Sequence, residues 1–245
     1  MGTLYCVRHG QASFGAANYD QLSSLGERQA LQLGRYWRAR GMRFDSLYTG
    51  TLARHAQTAH GIAQGLFFES NVQSVSAMVK SDAIKFEQSA VLTDALNEYD
   101  SEALISAQLL RRPPAEPLPS PHTREGYKAH FRVLREALKA WIAGELTPQG
   151  MPSFASFRSG LAQLATDIAA CPDGNALIVS SGGPLSTLVM HVLRAEPLAM
   201  IDLNYQMKNT AVTSFFVSSG KLHLSGFNAL AHLDSTEFEG WVTST

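Results

Sequence analysis

Charged and polar residues with chemical potential follow two apolar runs of this 245-residue chain. The run Leu4-Tyr5-Cys6-Val7 reads as a buried strand, and Arg8, His9 and Gly10 follow it at once. The run Ala176 to Val179 reads the same way and is followed by Ser180, Ser181, Gly182 and Gly183. A further cation, Arg54, falls in the first turn or so of a helix expected after Leu47-Tyr48-Thr49-Gly50. In open parallel sheets, ligands bind outside the carboxyl ends of the strands. Two arginines and the amides of a helix start at such ends form an anion site, most naturally for phosphate. Between the arginines, His9 is placed for nucleophilic attack, because imidazole forms covalent intermediates. Residue type alone leaves other readings open. An Arg-His pair at a strand end also suits a surface, Gly-Gly also marks a plain turn, and Arg54 also suits a solvated helix face.

The elements that must position these residues alternate between strand and helix. Leu25 to Arg40 places Ala30, Leu33 and Trp37 on one helical face, and Gly41 follows as a helix stop. Phe44 to Gly50 reads as a second strand, with Thr51 as the N-cap of the next helix. Asn71 to Val79 is compatible with a third strand. The texture changes between about residues 78 and 150. There Arg111 to His122 is proline-rich and excluded from regular helix, while Arg124 to Ala143 is helical, with Phe131, Leu134, Leu138 and Trp141 on one side. Ala176 to Leu193 gives strand, glycine turn and helix, with Pro184 near the first helical position. Thr210 to Phe227 forms a hairpin around Ser219-Gly220. Such alternation predicts one α/β domain over residues 1–245, a mostly parallel sheet with helices on both faces. The final hairpin adds an antiparallel edge, and residues 78–150 form an inserted helical and proline-rich cap.

Composition narrows the partners. Net charge is −1, with 45% hydrophobic residues, so no electrostatic footprint for nucleic acid or an anionic membrane is visible. A bound anion must therefore be held by a local cluster. The longest uncharged stretch, Gly174 to Leu193, carries Asn175, three serines, two further glycines and Pro184, which is turn chemistry rather than a membrane span. Cys6 and Cys171 form no disulfide or zinc pattern, and no ligand spacing implies a metal or other cofactor. The chain enters its first strand without a basic region and apolar leader core, so a soluble cytoplasmic protein is expected. Oligomeric state is left open.

The stretch Val7-Arg8-His9-Gly10-Gln11-Ala12-Ser13-Phe14 resembles the signature of the histidine phosphatase superfamily, the phosphoglycerate-mutase-like fold. Asn18 to Gly34 resembles the segment that follows it, and Ser46 to Ala59 resembles the second-arginine motif. Leu96 to Asp100 lies where the family keeps an acidic residue. Ser153 to Ala165 resembles its penultimate helix, and Asn209 to Leu233 its C-terminal hairpin. Everything except roughly residues 80–150 takes part, and that segment is the variable cap of the family. The resemblance implies that His9 becomes the nucleophile forming a phosphohistidine, with Arg8 and Arg54 holding the phosphoryl oxygens. Glu98 becomes proton donor to the leaving alkoxide and then base for water, with Glu102 as a rival. Gln11 and Ser23 line the mouth, and Gly182 and Gly183 offer amides.

One family position departs. The second histidine expected at the strand-to-helix turn is replaced by Ser181, whose hydroxyl is shorter and uncharged. Losing one preorganised donor in comparable sites costs about 10²–10³ in rate, so Ser181→His is expected to raise turnover. No other histidine is selected by spacing. His55 follows Arg54, but helical geometry turns it about 100° away. His232 fits the ordinary C-terminal pattern. The resemblance thus implies a phosphomonoester hydrolase acting on a small phosphorylated metabolite or phosphoester, weakened or specialised at Ser181. The alternatives are a non-catalytic phosphate-binding or regulatory pseudophosphatase and a phosphoglycerate mutase-type phosphotransferase. Arg111 and Arg112 are the basic residues available to the last of these.

Overall fold

The protein is seen in a computed structural model that describes residues 2–13, 20–68, 77–170 and 174–244. Among these residues six strands run in chain order: β1 (Thr3–Arg8), β2 (Ser46–Thr49), β3 (Val91–Leu92), β4 (Asn175–Ser180), β5 (Val212–Ser218) and β6 (Lys221–Ala229). They form one sheet in the order β3-β2-β4-β1-β5-β6. The first four are parallel, while β5 and β6 add the expected antiparallel edge. β1 is paired on both sides and buried on both faces, which is why Leu4 to Val7 reads as a continuous apolar run rather than an alternating one.

Among the described residues eight α-helices surround the sheet: α1 (Ser24–Arg38), α2 (Ala53–Phe67), α3 (Ala77–Gln88), α4 (Ser101–Arg111), α5 (Arg124–Ile142), α6 (Phe154–Ala170), α7 (Gly182–Leu193) and α8 (Ala199–Gln206). Side chains of a strand alternate between faces, and the two cores follow that period. Val7, Leu177 and Val179 pack with Ala30, Leu33 and Trp37 of α1 and Ile62 of α2. Leu4, Cys6 and Ile178 pack on the other side with Trp141, Leu161 and Leu188 from α5, α6 and α7. The same parity sends His9 and Ser181 toward the α1–α2 layer, and Arg8 and Ser180 toward the opposite one. Arg8 and Ser180 are paired in register, so the two functional turns emerge side by side.

Three local expectations change. The N-cap of α2 is Leu52 rather than Thr51, and its side chain makes no cap bond. Asp20 does that work from outside, its Oδ2 accepting the Ala53 N–H at 2.9 Å. The third strand expected over Asn71 to Val79 is not seen where it can be judged. Residues 71–76 lie outside the described residues and 77–79 open α3, so the third strand is instead the short Val91–Leu92 pair. Gly41, at φ +64°, lies two residues beyond Ala39, the C-cap of α1. Between residues 78 and 150 lie α3, α4, α5, the edge strand β3 and Glu98, while the proline-rich stretch after Arg111 is irregular until α5. Among the described residues no helix is long and apolar enough to cross a membrane.

Candidate active site

The carboxyl ends of β1, β2, β3 and β4 each lead into a residue of the same pocket. His9 follows β1, and its backbone N–H donates to Ser180 O at 2.8 Å. The residue is 3% exposed. Its Nδ1 lies 2.7 Å from Gly10 O, and because a carbonyl can only accept, Nδ1 carries the proton. A neutral imidazole then keeps its lone pair on Nε2. Burial first, then the neighbouring Arg8 and Arg54 charges, hold the His9 pKa well below its ordinary value, so the ring is neutral near pH 7. Asn209 Nδ2 donates to His9 O at 3.1 Å, and the Gly10 N–H donates to Thr58 Oγ1 at 3.0 Å, tying the loop to both flanking elements.

The arginines approach from opposite sides. Arg8 donates from Nη1 to Met207 O at 2.6 Å, just past the end of α8. Arg54, 7% exposed in the first turn of α2, pairs through Nη1 with Asp20 Oδ1 at 2.9 Å. Gln11 accepts the Ser23 hydroxyl on Oε1 at 2.8 Å and donates its backbone N–H to Gln29 Oε1 at 2.9 Å. That leaves the Gln11 side-chain amide N–H groups as its donors toward a ligand.

Glu98 arrives from the loop after β3. Its Oε2 accepts the Gly183 N–H at 3.2 Å, and Oε1 accepts the Tyr99 N–H at 3.2 Å. Gly183 is required there, since a Cβ would stand 2.0 Å from Glu98 Oε1. Both amide bonds and both arginines favour the carboxylate, yet desolvation outweighs them and raises the Glu98 pKa. Its rival Glu102 lies exposed in the first turn of α4. The structure thus brings His9, Arg8, Arg54, Glu98, Ser181 and Gly183 together, with the Gly183 N–H already used by Glu98. Arg111 is elsewhere: it pairs with Glu145 at 2.6 Å and, with Arg112, borders a cleft of about 470 Å³ that shares none of these residues.

A family model described as the histidine phosphatase superfamily, branch 1, matches residues 4–77 and 123–230. The chain belongs to the histidine phosphatase superfamily. The unmatched interval, 78–122, falls within the segment that the sequence sets apart. Solved members share the fold at low identity. Bacillus stearothermophilus YhfR is 18% identical with a TM-score of 0.63, covering 96% of this chain and 100% of that one. A mutant of the Entamoeba histolytica phosphoserine phosphatase in complex with phosphoserine is 21% identical, with a TM-score of 0.61 and coverage of 95% and 100%. The mycobacterial glucosyl-3-phosphoglycerate phosphatase is 17% identical, with a TM-score of 0.59 and coverage of 93% and 98%. No curated protein sequence matches significantly.

Within this superfamily member, sequence reasoning missed His55. Far from turning away, the ring is fully buried, with Nε2 2.7 Å from Ser181 Oγ and its centroid 5.9 Å from that of His9. His55 does not turn away from Arg54 because the pocket faces the N-terminal tip of α2 rather than its side. Cα–Cβ bonds of a helix tilt toward that tip, so neighbouring first-turn residues both lean over it. The usable signal was strand parity, which aims Ser181 at the α1–α2 layer where position 55 lies.

Proposed function

We propose that the protein is a phosphomonoester hydrolase that works through a phosphohistidine on His9, with a small phosphorylated metabolite as substrate. The observation that carries this reading is the buried His9 ring with Nδ1 2.7 Å from Gly10 O, which puts the proton on Nδ1 and leaves the Nε2 lone pair for attack within the field of Arg8 and Arg54. Nε2 attacks phosphorus and the bond to the ester oxygen breaks. The arginines carry the charge on the phosphoryl oxygens, where a loose transition state places it. Glu98, held toward its protonated form by burial, gives its proton to the departing alkoxide. The resulting carboxylate then takes a proton from water as that water attacks the phosphohistidine, releasing phosphate and restoring both groups. Membership of the family and the fold shared with phosphatases of phosphoserine and of glucosyl-3-phosphoglycerate support a phosphorylated small molecule as the ligand.

A hydrolysis screen over phosphate monoesters, with His9→Ala as control, tests the reading. Turnover of at least one ester, lost in His9→Ala, is expected. Equal turnover by His9→Ala would remove the mechanism, and no turnover of any ester alongside tight anion binding would favour the pseudophosphatase alternative.

A further inference from the structure

The reaction above leaves one buried polar contact of the pocket unused, the pair His55 and Ser181. Ser181 is the N-cap of α7, yet its hydroxyl makes no cap bond. The cap has nothing left to do: Pro184, the third helical residue, has no N–H, and the Gly183 N–H is taken by Glu98. The Ser181 hydroxyl lies instead against His55 Nε2 at 2.7 Å, with both residues fully buried. Among the described residues His55 Nδ1 has no hydrogen-bond partner. It faces Gly50, where an added Cβ would stand 2.3 Å from it, so α2 can bring an imidazole this close only beside a glycine. Burial and the Arg54 charge keep the ring neutral, pushing its pKa down to about 3. A neutral ring has one N–H, and an orphaned buried N–H is rarer than an orphaned acceptor. The proton therefore belongs on Nε2, donating to Ser181 Oγ. The serine proton must then point elsewhere. The neighbouring reactive group is His9, whose ring centroid lies 5.9 Å from that of His55 and whose backbone N–H donates to the carbonyl of the adjacent Ser180.

We propose that His55 and Ser181 form a relay in which His55 Nε2–H donates to Ser181 Oγ and thereby aims the Ser181 hydroxyl proton at a phosphoryl oxygen on His9. Ser181 touches the substrate, and His55 is a positioning residue acting through it. The relay rests on the phosphoryl-transfer reading for its ligand. No bond forms or breaks within it, and its proton stays in place while the phosphoryl charge grows and recedes.

The test is a double-mutant cycle read twice, by kcat on an aryl phosphate ester and by the affinity for inorganic vanadate. His55→Gln keeps an N–H donor near the position of Nε2, whereas His55→Met has similar length and no donor. Ser181→Ala is expected to lower kcat about 10²-fold, as for one lost oxyanion donor. His55→Met should lower it about tenfold through Ser181, with His55→Gln recovering most of that loss. In the Ser181→Ala background, His55→Met should change neither readout further, and vanadate affinity should follow the same pattern. Equal kcat for His55→Met and His55→Gln, or losses that multiply in the double variant, would overturn the relay. If His55→Met lowers the melting temperature too far to assay, the cycle is run at lower temperature with His55→Leu, which likewise lacks a donor, against Ser181→Ala, and losses that multiply there overturn it equally. Should no ester be turned over, the vanadate cycle still decides the relay while the hydrolase reading falls on its own.

Discussion

At the level of single residues, chemistry here is set by burial acting on ordinary side chains. Glu98 accepts two backbone amides, which alone would keep it ionised, yet desolvation raises its pKa. If that proton serves the leaving group, Glu98→Gln should slow alkyl phosphate esters by about 10²-fold or more, within the usual range for general acids. Aryl esters with good leaving groups, which need little protonation, should be slowed far less. Steady-state rates on a matched alkyl and aryl pair measure this, and a uniform loss would exclude Glu98 as the proton donor. Ser181→His now carries a prediction opposite in sign to the one drawn from sequence. With His55 Nε2 already 2.7 Å from Ser181 Oγ, a second imidazole collides with the first, so kcat should fall and vanadate should bind less tightly. A gain in turnover would show that the two rings fit together. Arg8 and His9 were legible because they stand at and just past the end of an apolar run, whereas Glu98 came from the family resemblance alone, the strand before it being only two residues long. His55 was not legible, because its position depends on which end of α2 meets the sheet.

At the level of elements, the pocket depends on how α2 begins. Asp20 caps the Ala53 N–H and holds Arg54 Nη1 at once, so one carboxylate fixes both the helix start and the Arg54 guanidinium. Asp20→Ala should cost about 1 kcal/mol of stability through the lost cap. It should also raise KM for a phosphate ester more than it lowers kcat, since the ion pair that holds Arg54 Nη1 is removed. Thermal melting and steady-state kinetics on the same variant separate the two effects; unchanged KM would mean that Arg54 is positioned by other contacts. The sequence showed a helix here but not its cap, because Asp20 lies 33 residues before Ala53 and reaches it only after the β1–α1–β2 unit has folded. The hairpin was legible for the opposite reason: its two runs and the Ser219-Gly220 turn, with φ of 52° and 68°, are local. Val91–Leu92 offered too few residues to show any periodicity.

Across the whole molecule, the same burial that tunes the pocket makes the fold sensitive to acid. His9, His55 and His232 all have folded pKa values below the ordinary 6.5, with burial the leading cause; His55 lies at about 3 and His232 at about 4. Unfolded histidines take up protons near 6.5 and folded ones do not, so stability is fully present above that pH and falls as pH drops below it. Each such group contributes a slope of about 1.4 kcal/mol per pH unit until its folded pKa is reached. Glu98 acts with the opposite sign, its raised pKa costing stability as pH rises past 4.5. Urea unfolding between pH 7 and 5 should therefore show a steep loss, and His232→Gln, which leaves His9 and His55 in place, should make it shallower; an unchanged slope would contradict the burial assignment. The same neutral histidines are what the proposed chemistry needs, and His9 is where it either happens or does not. The most direct measurement is rapid quenching of the protein during turnover of a phosphate ester, under conditions that preserve acid-labile phosphoramidates, followed by mass spectrometry of its peptides. One phosphoryl group is expected on His9, accumulating in Glu98→Gln if loss of the water-activating base slows hydrolysis more than transfer, and absent from His9→Ala. Turnover with no phosphoryl group on His9, or with the group found on another residue, would contradict the proposed chemistry.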